Sequence, residues 1–197
     1  MSKKQDNEIT LKIKGNLDEF YSDIENKEFK IVHEFSMDDT YFVPKILNLK
    51  EISTREILSK AVLVRKTIGK TSGKVSQKIT FKIKEFDTDG NILNQDSINC
   101  EVLDIQSAKK LLKAIGYKEI MNIQEDDRVY ESAGFRFAVK DIRNGDNLIE
   151  AEIGENEDVD TVEELVEKVA NFKIPVYLDN YFVKKAEVEL DKVLGRK

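Results

Sequence analysis

The residues of this chain best suited to chemistry are charged side chains that recur at every second position of strand-like segments. Glu8-Ile9-Thr10-Leu11-Lys12-Ile13-Lys14 puts Glu8, Thr10, Lys12 and Lys14 on one face and Ile9, Leu11 and Ile13 on the other. Leu148-Ile149-Glu150-Ala151-Glu152-Ile153 places two carboxylates two residues apart. Side chains at i and i+2 of a strand point the same way, so each segment presents a charged row. Glu8, Glu150 and Glu152 offer hard oxygen ligands of the kind Mg²⁺ and Mn²⁺ prefer. Lys12, Arg65, Lys82 and Arg128 offer cations for phosphate oxygens. The bland reading of one such row is the solvated face of an antiparallel strand. Several rows lining one closed interior would instead make a polyanion site, because burying that many charges with neither ligand nor metal is costly.

The elements that must carry these rows are mostly strands. Residues 17–27 space Leu17, Phe20, Tyr21 and Ile24 as a helix, with Asn16 as its cap. Residues 29–43 read as two strand pieces around a Ser-Met-Asp-Asp break, stopped by Pro44. A polar excursion at 45–59 carries a short helix over Ser53 to Leu58, and Ala61 to Ile68 is a strand before the turn at 69–74. Residues 78–84 alternate cleanly, with Lys78, Lys82 and Lys84 on one face, and Asp89-Gly90 signals a hairpin into a strand at 92–102. Residues 105–115 form an amphipathic helix ended by Gly116. Tyr117 to Tyr130 is extended or bent, and Phe135 to Ile142 is a strand. Asn144-Gly145 turns into 147–153, and helices follow at about 160–171 and 177–194. About eight strands joined mainly by hairpins, with no helix per strand, disfavour a parallel α/β sheet. The expectation is α+β: an antiparallel barrel or strongly curved sheet with flanking helices.

Composition narrows the function classes. With 197 residues, 40% of them hydrophobic, one substantial core and a single domain over 1–197 are expected. The 32 basic and 38 acidic residues are interspersed, and the net charge of −6 argues against a generic nucleic-acid binder while leaving room for a local basic pocket. The one cysteine, Cys100, excludes an internal disulfide and reads as a core or semi-buried thiol; with one histidine, His33, no His-rich zinc site can form. No apolar run approaches the roughly 18 residues needed to span a bilayer. The opening MSKKQDNEIT lacks an apolar signal core, so a cytoplasmic protein is expected.

Taken in order, the segments resemble the CYTH family, the triphosphate tunnel metalloenzymes that include class IV adenylyl cyclases, thiamine triphosphatases and inorganic triphosphatases. Glu8-Ile9-Thr10-Leu11-Lys12 stands where the family has Glu-x-Glu-x-Lys, and is followed by Asp39-Thr40-Tyr41-Phe42. Leu63-Val64-Arg65 resembles the Arg-x-Arg strand, and Ile79-Thr80-Phe81-Lys82 the lysine-bearing one. Ala114-Ile115-Gly116-Tyr117, Arg128 and Leu148-Ile149-Glu150-Ala151-Glu152 follow, with Tyr177 and Tyr181 near the end. The resemblance spans about residues 7–190. It implies a closed eight-stranded antiparallel tunnel in which Lys12, Arg65, Lys82 and Arg128 grip a triphosphate. Glu8, Glu150 and Glu152 would hold Mg²⁺ or Mn²⁺, and Lys12, Glu150 and Glu152 would serve catalysis. The leading implied activity is phosphoanhydride hydrolysis of inorganic or organic triphosphate. The alternatives are a class IV adenylyl cyclase acting on ATP and a degenerate, non-catalytic triphosphate or nucleotide binder. The partner is a triphosphate-containing small molecule, with no membrane, and the protein is a monomer or homodimer.

Four positions depart from the family pattern. Thr10 replaces the second opening glutamate, Leu63 the first arginine of the pair, and Asp126 a frequent lysine two before Arg128. The family's metal-binding aspartate, counted back from Glu150, falls on Lys140, with Asp141 one step off. Asp141 could replace it only through a bulge, because a one-residue slip turns a side chain to the opposite face.

Overall fold

The structure is a computed structural model that describes residues 7–86, 92–156, 158–179 and 184–196, without the side chains of 85–86 and 92–95. Among the described residues the strands are β1 (Glu8–Lys12), β2 (Lys30–Pro44), β3 (Val62–Gly69), β4 (Val75–Phe86), β5 (Ile92–Glu101), β6 (Tyr117–Ser132), β7 (Phe135–Ile142) and β8 (Asn147–Glu152). The helices are α1 (Leu17–Asn26), α2 (Thr54–Ser59), α3 (Ile105–Ala114), α4 (Val162–Asn171) and α5 (Lys185–Leu194). The strands form one antiparallel sheet in the order β1-β8-β7-β6-β2-β3-β4-β5. The expected α+β architecture with eight strands is therefore present. This order ends at β1 and β5, and the expected closure into a barrel is not part of it.

The described chain divides into two compact units. The first comprises Met1–Glu34, Glu85–Gln95 and Asp126–Lys184; the second comprises Phe35–Lys84, Asp96–Glu125 and Lys185–Lys197. In the first, Ile9, Leu11 and Ile13 of the N-terminal segment join Tyr130, Phe135, Phe137, Val139, Ile149, Ala151 and Ile153 in one core. Phe20 and Ile24 of α1 and Leu165 and Val169 of α4 complete it. Burial of each such side chain contributes roughly 1.5–3 kcal/mol relative to exposure. The sequence starts both helices by giving their orphan N–H groups acceptors. Asn16 caps Glu19 N at 2.9 Å, and Thr161 and Glu164 form a capping box.

In the second unit the α3 residues Ala108 and Leu112 pack on Phe42 and Val64. Helix α5 packs on α2, where Arg55 grips Glu187 through two hydrogen bonds of 2.9 and 3.0 Å. Arg196 reaches back to Thr54 Oγ1 and the Ile52 carbonyl, both at 2.9 Å.

Several boundaries differ from the sequence reading. β2 is continuous over 15 residues rather than broken at Ser36–Asp39, because each of those residues pairs with β3 from Ile68 back to Arg65. β6 is likewise one strand of 16 residues. The last helix begins at Lys185 among the described residues. Residues 176–177 are extended, Val176 bridging Ile13 and Tyr177 N donating to the Lys12 carbonyl at 2.9 Å. Cys100 is exposed rather than buried, since the described side chains of β5 from Asp96 to Glu101 all face solvent. The Asp89-Gly90 turn and Tyr181 lie outside the described residues. No described helix is long and apolar enough to cross a membrane.

Candidate functional site

The first unit carries its polar residues on the sheet face opposite the core. The β1–β8 ladder sets Glu8 against Glu152, Thr10 against Glu150 and Lys12 against Leu148. The β7–β8 ladder then sets Ala138 against Glu150 and Lys140 against Leu148. Glu8, Thr10, Lys12, Lys140, Glu150 and Glu152 thus share one face, while Ile9, Leu11, Val139, Ile149 and Ala151 occupy the other. The β7–β8 register runs without interruption to Asp141 against Asn147. No bulge interrupts these pairs, so Asp141 lies on the Val139 side and Lys140 on the Glu150 side.

Lys140 is 7% exposed, and Asp127, on β6, is fully buried. The Lys140 ammonium lies 2.7 Å from Asp127 Oδ2 and 3.2 Å from Glu150 Oε2. Lys184 Nζ donates to the Glu8 carbonyl and stands 3.9 Å from the Glu8 carboxylate. Lys12 is exposed and pairs with Asp146 at 2.7 Å. The buried Thr10 hydroxyl has no hydrogen-bond partner among the described residues.

These residues do not fit a divalent cation. Among the described residues no three His, Cys, Asp or Glu side chains are gathered so as to hold a metal ion, although Glu8, Glu150 and Glu152 share a face. Mg²⁺ demands near-octahedral oxygen ligation, and here the Lys140 nitrogen stands beside Glu150 and Asp127, with a threonine opposite Glu150.

The second unit's polar face is cationic. Asp39, Arg65 and Lys78 are direct cross-strand neighbours on β2, β3 and β4. Arg65 clasps Asp39 with Nε at 2.7 Å and Nη2 at 2.5 Å. Burial works against the Arg65 charge, but Asp39 outweighs it and raises the guanidinium pKa above its ordinary value. Thr80 and Lys82 follow Lys78 at successive second positions, and Thr80 donates to Asn99 at 2.8 Å. Burial and then Arg65 lower the pKa of Lys78, Asp39 only partly offsets them, and Lys82 adds to the depression. On the neighbouring face of β6, Glu125 is buried and accepts from Lys185 at 2.5 Å; its second oxygen, Oε2, has no hydrogen-bond partner among the described residues.

The structure does not bring Arg128 to the Asp127 face. Adjacent residues of a strand point to opposite faces, and Arg128 stacks over the Tyr21 ring of α1 at 4.3 Å while pairing with Glu34 at 3.2 Å. Burial pushes the Tyr21 hydroxyl up to about 12, opposed chiefly by Arg128. Sequence reasoning named Asp39 only as part of the Asp39-Thr40-Tyr41-Phe42 segment and gave no role to Glu125 or Asp127. Glu125 and Asp127 share one buried face of β6 with Met121, Ile123 and Val129, and buried Tyr130 on the other parity hides that pattern in the sequence.

The sequence matches no protein-family model and no curated protein. Solved structures do resemble the fold. A protein of Pyrococcus horikoshii OT3 superposes with a TM-score of 0.62 at 18% identity, covering 97% of this chain and 100% of its own. A candidate adenylate cyclase of Vibrio parahaemolyticus gives 0.58 at 15% identity, covering 98% of each chain. A candidate adenylyl cyclase of Hippeastrum, described as having a dominant triphosphatase activity, gives 0.56 at 12% identity with 96% of each chain covered. At these identities the likeness speaks to architecture, and on that ground the chain has the fold of the candidate adenylate cyclases, as the CYTH resemblance implied.

Proposed function

We propose that this chain binds a triphosphate-bearing small molecule through the cationic row Arg65, Lys78 and Lys82, as a non-catalytic relative of the triphosphate enzymes whose fold it shares. One observation carries the reading. Arg65 of β3 and Lys78 and Lys82 of β4 stand on one sheet face, where Asp39 clasps Arg65 and Glu125 adds to the negative field at it, and among the described residues neither Lys78 nor Lys82 makes an ion pair. A surplus of positive charge at a partly buried place is costly without an anion, and a triphosphate, with about four negative charges and many acceptor oxygens, is suited to relieve it. The fold likeness to a Hippeastrum protein with triphosphatase activity supports the ligand class.

The test is calorimetric titration with tripolyphosphate, ATP and thiamine triphosphate, with and without Mg²⁺. Binding should survive chelation of divalent ions, should weaken steeply with salt, and should raise the melting temperature, as any ligand selective for the folded state must. Lys78→Gln and Lys82→Gln should each cost about tenfold in affinity, the worth of a charge-assisted hydrogen bond. Absence of stabilisation by every triphosphate would remove the proposal. Metal-dependent release of phosphate, or of pyrophosphate with cyclic AMP, would instead restore one of the two enzyme readings that the sequence pattern raised.

A further inference from the structure

We infer that the Lys140 ammonium occupies the place from which a divalent cation would hold the carboxylates of the first unit, so that this face is closed to metal. The register argument fixes the position. Lys140 is the residue that an unbroken β7–β8 ladder turns toward Glu150, and it is buried with Asp127. At 2.7 Å from Asp127 and 3.2 Å from Glu150 the ammonium bridges two carboxylates, as a metal ion would, but with one charge and through donated protons. A second cation placed among the same oxygens would meet that charge at close range in a poorly solvated place, where like charges repel strongly. Thr10, opposite Glu150, supplies a neutral hydroxyl at a point where a second strong anionic ligand would be needed.

The consequence for ligand binding, that triphosphate is held without metal, rests on the triphosphate reading. The exclusion of metal from the carboxylate face does not, and it can be tested with no phosphate present. Mn²⁺ titration of the full chain followed by electron paramagnetic resonance should show no saturable site in the wild type up to millimolar metal. Lys140→Ala leaves Asp127 and Glu150 without their shared ammonium, and its melting temperature should be lower than that of the wild type. Mn²⁺ should bind this variant and restore part of the loss, while leaving the wild-type melting temperature unchanged. Saturable wild-type Mn²⁺ binding that Glu150→Gln abolishes would overturn the assignment. A folded Lys140→Ala protein that takes up no Mn²⁺ would overturn it too. Should that variant fail to fold even with Mn²⁺, the wild-type titration decides alone.

Discussion

The two units handle charge on their polar strand faces in opposite ways. In the first, the carboxylates are met by lysines of the chain itself: Lys140 for Asp127 and Glu150, and Lys184 beside Glu8. In the second, Arg65, Lys78 and Lys82 outnumber the Asp39 carboxylate that faces them. In the first arrangement the buried Lys140 ammonium holds two of the carboxylates, Asp127 and Glu150, within the fold. In the second, Lys78 and Lys82 make no ion pair among the described residues, which on the proposed reading suits an anion. Charged rows that look alike in sequence, alternating at period two, thus serve different ends according to what packs against them.

The sharpest way to break this comparison is to remove one cation from each unit. Lys140→Ala leaves fully buried Asp127 without its ammonium, and losing one partner of a buried pair costs about 3–5 kcal/mol. Lys78→Gln removes a charge that makes no ion pair among the described residues and should change stability by less than about 0.5 kcal/mol, or raise it. Urea denaturation of both variants without ligand checks the contrast. Equal losses would mean that the second unit's cations are structural as well.

Part of this arrangement was legible in the sequence. Strand parity puts Glu150 with Glu152 and Lys78 with Lys82, and the β1–β8 ladder adds Glu8 to the first face. What parity could not reveal was which partner each charge meets across 60 or 176 residues of chain, such as Lys185 for Glu125 or Lys184 for Glu8. β6 was ambiguous for a local reason. Its apolar residues fall on both parities, Met121, Ile123 and Val129 on one and Tyr130 on the other, so hydrophobicity does not choose between Asp127 and Arg128 as the residue of the polar face. The apparent break in β2 misled because Ser36 and Asp39 have turn-like composition, yet both pair in the ladder to β3, where Arg65 supplies the partner that makes a buried Asp39 tolerable.

A smaller effect separates Arg128 from the cationic row that it joins by residue type. Its guanidinium rests on Tyr21 and pairs with Glu34, so Arg128→Ala should cost about 0.5–1 kcal/mol through the lost ring contact. Tripolyphosphate affinity should not change, in contrast to the tenfold losses expected for Lys78→Gln and Lys82→Gln. Calorimetry on the three variants under one buffer makes the comparison direct. A loss of affinity in Arg128→Ala matching those of the lysine variants would return Arg128 to the binding set.

The smallest expected effect is a pH dependence carried by Lys78 of the second unit. Burial, Arg65 and Lys82 together hold the folded-state pKa of Lys78 below its ordinary value of 10.5. Between the depressed folded value and the unfolded one, the unfolded chain binds more protons at this site than the folded chain does, so stability rises with pH across that window. Below the window both states are protonated and the folded protein carries the full penalty of the crowded charge. Lys78→Gln should abolish this component of the rise, seen as the difference between wild-type and variant melting temperatures from neutral pH to about pH 10. Saturating tripolyphosphate should abolish it as well, because an anion beside Lys78 favours its protonated form and raises the folded-state pKa. If the wild-type and Lys78→Gln profiles run parallel with and without tripolyphosphate, Lys78 does not feel the ligand, and the anion lies elsewhere.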